Sequence, residues 1–299
     1  MRKNILDNAI KIIDERRFNA ENTARNNKLK ALENPEFKSL YNEYIDLVIE
    51  NAKNGGDNKI IENLEKKLKN LQKKLNLADI LPNYTCKVCN DTGFLEGKYC
   101  HCLTKEINNI LKSESGFYKL ESFSDSKFDI HSKPDFIKKL YNLMKEWCHS
   151  DFSKNLIYLS GQTGVGKSHL AKCMANELID LDKVVYLTTS FAMNQDFLKS
   201  YSCKDIDEKD YILQKYLNAD VLFIDDLGTE LRQPGITNKY LYLVLNERKM
   251  NNRPTVITSN LTLANLQEYY DERIFSRITD QATSLCFYID GIDLRLKKN

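Results

Sequence analysis

NLIYLSGQTGVGKSHLAK, residues 155–172, decides the fold of this 299-residue chain. The apolar run Leu156 to Leu159 reads as a short buried strand. The segment after it, GQTGVGKS, satisfies GxxxxGK[ST] at every position, and residues 167–180 read as a helix. Strand, glycine loop and helix in that order are the context in which the motif carries chemistry. The glycines let the loop curl until its backbone N–H groups converge, and the helix start adds partial positive charge, so phosphate oxygens can be held there. Lys167 is expected to reach the β- and γ-phosphates and the Ser168 hydroxyl to ligate magnesium. The binding set is therefore Gly161, Gln162, Thr163, Gly164, Val165, Gly166, Lys167 and Ser168. His169 stands beside it, where helix packing or a local polar role is enough to explain it.

Outward from the loop, KVVYLTT (183–189), DVLFIDD (220–226), PTVITSN (254–260) and SLCFYI (284–289) read as further strands. Helical stretches fall near 191–200, 209–218 and 270–280 and over 237–250. Short apolar strands alternating with helices imply an α/β domain with a parallel five-stranded sheet, covered on both faces. The carboxyl ends of its strands should face the nucleotide crevice. Asp225 and Asp226 stand at such an end, Asp225 to hold magnesium through water and Asp226 to orient or deprotonate the attacking water. Asn260 closes another strand, where its side chain can hold that water. Arg273 and Arg277, four apart in DERIFSRI, share one face of a helix and can be presented to the nucleotide of a neighbouring subunit. Arg295, in GIDLR, can approach the γ-phosphate within its own subunit.

Residues 1–80 read as helix. Ile5, Ala9, Ile12 and Ile13 form one apolar stripe, and Phe37, Leu40, Tyr41, Tyr44, Ile45, Val48 and Ile49 a second. After the Gly55–Gly56 break, Leu64, Leu68, Leu71 and Leu75 form a third. Three helices with so few large apolar residues make a thin core, so the region reads as a partner-docking module. Residues 81–112 hold CKVCNDTGFLEGKYCHC, a C-x2-C and a C-x-C pair that can present Cys86, Cys89, Cys100 and Cys102 to one zinc ion. His101 can replace one thiolate but points away from its neighbours if the segment is extended. Cys173 and Cys286 read as core residues. Residues 113–133 form a linker that packs Phe117, Phe123 and Phe128 onto the next domain, which spans 134–299. That domain opens with a helix whose buried face is Phe136, Ile137, Leu140, Leu143, Met144 and Trp147.

The composition bounds the function. With 44 Lys+Arg against 42 Asp+Glu, the chain is not a histone-like electrostatic binder. Basic spots at Arg248, Lys249, Arg253, Lys297 and Lys298 leave room for a local single-stranded DNA track. No apolar run is long enough for a membrane span and the start is no signal peptide, so a cytoplasmic protein without membrane contact is expected. Four of the eight cysteines crowd into one short segment, as in a metal site of a reducing compartment.

GQTGVGKSHL, VLFIDDLGTE, VITSN, ERIFSRI and GIDLR together resemble the AAA+ domain of bacterial replicative helicase loaders of the DnaC/DnaI type. The helical amino-terminal region and cysteine cluster resemble the helicase-interacting half of DnaI-like members. The resemblance implies an AAA+ ATPase that uses ATP, Mg2+ and Zn2+ and associates with itself through the AAA+ domain. Its implied partners are the hexameric replicative DNA helicase, bound through residues 1–80, and single-stranded DNA. Carried over to this sequence, Asn260 is the first sensor, Arg277 the arginine finger with Arg273 a second candidate, and Arg295 the second sensor, although no helical lid follows it. The transposition helper ATPases of the IstB type share these motifs, and the cysteine cluster favours the loader. A nucleotide-switched DNA-binding adaptor with little turnover is the alternative from another class.

Overall fold

The structure is a computed structural model describing residues 5–54, 58–115 and 119–296. The expected Gly55–Gly56 break, Phe117, Lys297 and Lys298 lie outside the described residues. The chain divides into two compact units, Ile10–Cys102 and Met1–Ala9 with Leu103–Asn299.

The first unit is built on helices α1 (Asp7–Ala31), α2 (Pro35–Asn54) and α3 (Asn58–Lys74) and a small antiparallel hairpin, β1 (Phe94–Leu95) with β2 (Lys98–Tyr99). Asn34 starts α2 by accepting the Phe37 N–H at 3.1 Å, with Pro35 following it. The leucine stripe of α3 does what its spacing predicts. Leu68 and Leu71 bury with Ala31 and Phe37, and Leu40, Tyr41, Tyr44 and Leu75 pack around them. Ile49 of the second stripe is exposed, so the core is as small as the composition implied.

Besides residues 1–9, the second unit holds α4 (His101–Ser115) from Leu103 onward, then α5 (Pro134–Cys148), β3 (Leu156–Gly161), α6 (Lys167–Asp180), β4 (Val185–Thr189), α7 (Ser190–Ser202), α8 (Ile206–Asn218), β5 (Val221–Leu227), α9 (Thr237–Met250), β6 (Thr255–Ser259), α10 (Leu263–Tyr269), α11 (Glu272–Thr279) and β7 (Ser284–Ile289). The sheet is parallel throughout, in the order β4-β5-β6-β3-β7. β3, the strand feeding the phosphate loop, is buried at every residue and flanked by β6 and β7. On one face Ile157, Leu159, Val185, Phe223 and Val256 pack with α5 and α6. On the other, Tyr186 meets Tyr216 edge-on and Phe197 stacks on Tyr240. At the β4 edge, Asn108 of α4 accepts the Val185 N–H at 2.9 Å and donates to the Lys183 carbonyl at 2.8 Å, acting like one residue of a further strand.

Several sequence expectations change here. In α5, Phe136 and Leu143 are exposed while Tyr141 and Cys148 are buried, because the stripe that faces the sheet runs 137, 140, 141, 144, 147 and 148. The helix expected near 270–280 is α11, which the Asp271 side chain starts by accepting the Ile274 N–H, and α10 is a further short helix before it. Cys286 is exposed on the edge strand β7, whereas Cys173 is fully buried.

The basic spots are also reassigned. Arg248 is 1% exposed and bonds to Thr255 Oγ1 and to the carbonyls of Tyr216, Ala219, Asp220 and Pro254, clamping α8, α9 and β6 together. Lys249 pairs with Asp280, and Arg253 bonds to the Leu217 carbonyl and the Asn218 side chain. Arg248 is therefore part of the core and no part of a DNA track. R248A should lower unfolding free energy by about 3 kcal/mol or more, since several buried carbonyls lose their donor together. A urea titration of the variant against the parent measures this loss.

Candidate nucleotide-binding site and cysteine centre

Because β5, β6 and β3 lie side by side, the phosphate loop, the Asp225–Asp226 pair and Asn260 arrive at one end of the sheet. A cavity of about 480 Å³ opens there, lined by loop residues Thr163, Gly164, Gly166, Lys167 and Ser168 together with His169, Asp226, Asn260 and Arg295. Three residues of the expected binding set do not line the cavity. Val165 is buried in the core, and Gly161 and Gln162 contribute carbonyls, not cavity wall.

Lys167 is 4% exposed, and its ammonium donates to the Gly161 carbonyl at 2.8 Å, the Gln162 carbonyl at 2.7 Å and Asn260 Oδ1 at 2.8 Å. Burial pulls its pKa down, while Asp226 and Asp225 oppose that shift. Asn260 thus reads the lysine directly. It caps no helix, a task that falls to Thr262, which accepts the Asn265 N–H. Asp225 is buried and accepts a 2.5 Å hydrogen bond from Thr258 Oγ1. Asp226 lines the cavity, and burial first, then the Asp225 charge, push its carboxyl above the usual range.

The end of the chain closes the loop side. The Leu294 N–H donates to the Gly164 carbonyl at 3.0 Å, and Asp293 chelates the Arg295 guanidinium at 3.1 and 3.2 Å, which brings Arg295 to the cavity. Gly164, at φ +80°, is required here, since a Cβ would stand 1.8 Å from the Asp293 carboxylate. His169 lines the cavity and shares a hydrogen bond between Nδ1 and the Tyr141 hydroxyl at 3.0 Å; burial lowers its pKa.

Arg273 and Arg277 stand apart from the cavity. Arg273 is exposed, while Arg277 donates to Asn246 Oδ1 at 3.1 Å and lies over the Tyr242 ring. Neither pairs with Asp271 or Asp280 among the described contacts, since those carboxylates start α11 and bind Lys249.

The wall that the sequence did not announce comes from the linker. Phe123 and Phe128 pack on the core as expected, and the turn between and beyond them brings Asp125, Ser126, Lys127 and His131 to the cavity. The available signal was the pair of Phe anchors around a Ser- and Asp-rich turn, which Ser122 caps.

In the first unit, Cys86, Cys89, Cys100 and Cys102 hold their sulfurs within 4.8 Å of one another. Cys86 and Cys100 are 3.8 Å apart and Cys89 and Cys102 3.4 Å. A tetrahedral zinc with Zn–S near 2.3 Å calls for sulfurs roughly 3.8 Å apart, so the donor set fits that metal. The buried Asp91 carboxylate organises the approach by accepting the Thr85 and Cys86 N–H groups, both at 2.7 Å. Burial opposes ionisation of Cys89, yet the Gly93 backbone and the adjacent thiols outweigh it and bring the thiol down to about 6; burial drives Cys102 up. His101 opens α4 and is not in an extended segment, so its ring turns back toward the cluster, 3.7 Å from Cys86 Sγ and 3.5 Å from Cys100 Sγ. No helix among the described residues is long and apolar enough to cross a membrane.

Comparison with known proteins agrees with this geometry. A family described as IstB-like ATP binding protein matches residues 113–299, more than half of the chain. The phage-like element PBSX protein XkdC of Bacillus subtilis (strain 168) is 29% identical over 226 residues, covering 70% of this chain and 83% of XkdC. The uncharacterized protein YqaM of the same organism is 30% identical over 67% of this chain and 65% of its own length. The replicative helicase loader DnaC of Buchnera aphidicola subsp. Baizongia pistaciae (strain Bp) is 28% identical over 50% of this chain and 60% of that protein.

Metal analysis of the purified protein should give one zinc per chain, bound through sulfur. The double change Cys86→Ser with Cys89→Ser should abolish it and leave nucleotide binding in place, since the cysteines lie outside the cavity-bearing unit. Iron with visible absorbance would assign the centre to a different metal.

Proposed function

Because the chain belongs to the IstB-like ATP binding protein family, we propose that it is an ATPase that loads a hexameric replicative DNA helicase onto single-stranded DNA. The observation that carries the reading is one chain joining a phosphate-loop cavity to a four-cysteine centre on a small helical unit. Likeness to the Buchnera helicase loader supports it. In this reading residues 1–80 dock the helicase, 81–112 form a zinc module that stiffens the docking region, 113–133 link, and 134–299 are the AAA+ domain that binds and hydrolyses ATP.

Each residue has a task. Lys167 exchanges its carbonyl partners for phosphate oxygens, with the loop N–H groups beside it. Ser168 and Asp225 hold magnesium, which when bound draws charge from the phosphates. Asp226, on the cavity wall, holds the attacking water, and Asn260 keeps water and Lys167 in register. Arg295 leaves Asp293 for the phosphates. Arg277 lies outside its own cavity, so it serves the site of an adjacent subunit, with Arg273 near it, and hydrolysis requires self-association.

The family match favours a second reading, a transposition helper of the IstB type, which has the same cavity chemistry and a transposase as its partner. Pull-down by the full chain separates the two. Retention of replicative helicase supports the loader, and retention of transposase alone overturns it.

K167A should lose ATP binding, whereas D226N should bind ATP and hydrolyse it about 100-fold more slowly. R277A should bind ATP normally and hydrolyse it poorly, and mixing R277A with K167A should restore part of the rate. Calorimetry and phosphate release measure both properties. If co-assembled variants give no rescue, Arg277 does not act on a neighbour.

A further inference from the structure

Asp225 and Asp226 are consecutive residues at the end of β5, and consecutive strand residues ordinarily point to opposite faces. The ladder between β5 and β6 shifts register between Ile224 and Leu227, and Asp226 takes a left-handed backbone at φ +56°. A left-handed residue other than glycine persists where its surroundings over-determine it. Here three hydroxyls do so. The Asp226 N–H donates to Thr258 Oγ1 at 2.9 Å, and its carbonyl accepts from Ser190 Oγ at 2.7 Å and Thr229 Oγ1 at 2.8 Å.

Thr258 stands out among the three because it also meets the other carboxylate. Its hydroxyl donates to Asp225 Oδ1 at 2.5 Å while accepting from the Asp226 N–H. A hydroxyl has one proton to give, so the bond to Asp225 fixes its orientation and leaves a lone pair for Asp226. Thr258 is 1% exposed and Asp225 7%, so bulk water does not replace either bond. Thr258 is absent from the cavity wall that Asp226 lines.

We propose that Thr258 is a positioning residue that sets Asp225 and Asp226 for metal and water without touching the nucleotide. The inference rests on the reading of the cavity as an ATP and magnesium site. Magnesium demands close to ideal octahedral geometry, so a carboxylate free to rotate is a poorer ligand than one held at a single oxygen. Removing the hydroxyl should therefore weaken magnesium's hold on the site more than nucleotide binding without the metal.

The test is binding of a fluorescent ATP analogue to the full chain, in EDTA and across a magnesium series, with manganese resonance spectra as a second readout of the metal. The parent should bind more tightly as magnesium rises. Thr258→Val, equal in shape but unable to bond, should match the parent in EDTA within about twofold, yet need about tenfold more magnesium for half of the gain. Thr258→Ser should restore the parent midpoint, and Thr258→Val should add nothing to the shift caused by Asp225→Asn. If Thr258→Val melts below the assay temperature, Thr258→Cys, a weak donor, carries the comparison and should show an intermediate shift. An unchanged magnesium midpoint in both variants overturns the role of Thr258, as does an equal loss of affinity in EDTA and in magnesium. A parent chain that shows no magnesium effect overturns instead the ATP and magnesium reading beneath it.

Discussion

An ammonium taken out of water must be met by oxygen, and the way Lys167 is met organises the whole second unit. Two of its partners are carbonyls of its own loop and the third is the side chain of Asn260, at the end of a strand far along the chain. One buried charge therefore ties the loop after β3 to the end of β6. The neighbouring aspartates hold its charge against the pull of burial. The same oxygens that satisfy Lys167 can be traded for phosphate oxygens at modest cost, because one set of charge-assisted bonds replaces another.

The three last residues of the TSN stretch divide the labour at this end of the sheet. Thr258 serves the two aspartates, and Asn260 serves Lys167. Between them, Ser259 donates to the Leu227 carbonyl at 2.5 Å and accepts the Leu261 N–H at 3.0 Å, holding the strand end against β5. Side-chain bonds of this kind restore what the interrupted ladder between β5 and β6 gives up.

The parallel sheet was legible because its signals are local. GQTGVGKS fixes its own conformation, and the strands of the sheet announce themselves as short apolar runs between helices. The cysteine set was legible for the same reason, through spacing alone. What escaped depends on distant partners. Arg248 looks like any surface arginine until the carbonyls of Tyr216, Ala219, Asp220 and Pro254 converge on it. Lys127 and His131 read as linker because their cavity exists only once Phe123 and Phe128 have docked. The exposure of Cys286 follows from the place of β7 at the sheet edge, which strand order alone decides. The direction of His101 hung on whether its segment was extended, and the segment starts a helix instead.

The left-handed backbone at Asp226 also limits how this site can drift over evolutionary time. A glutamate there would carry the same charge one methylene further into the cavity. Left-handed geometry outside glycine, however, favours the short polar side chains of aspartate and asparagine, which bond to the nearby backbone. Among single substitutions, asparagine and glycine keep the shape but discard the charge, and glutamate keeps the charge but resists the shape. Aspartate alone combines both, a short side chain that suits the left-handed backbone and a charge at the cavity wall.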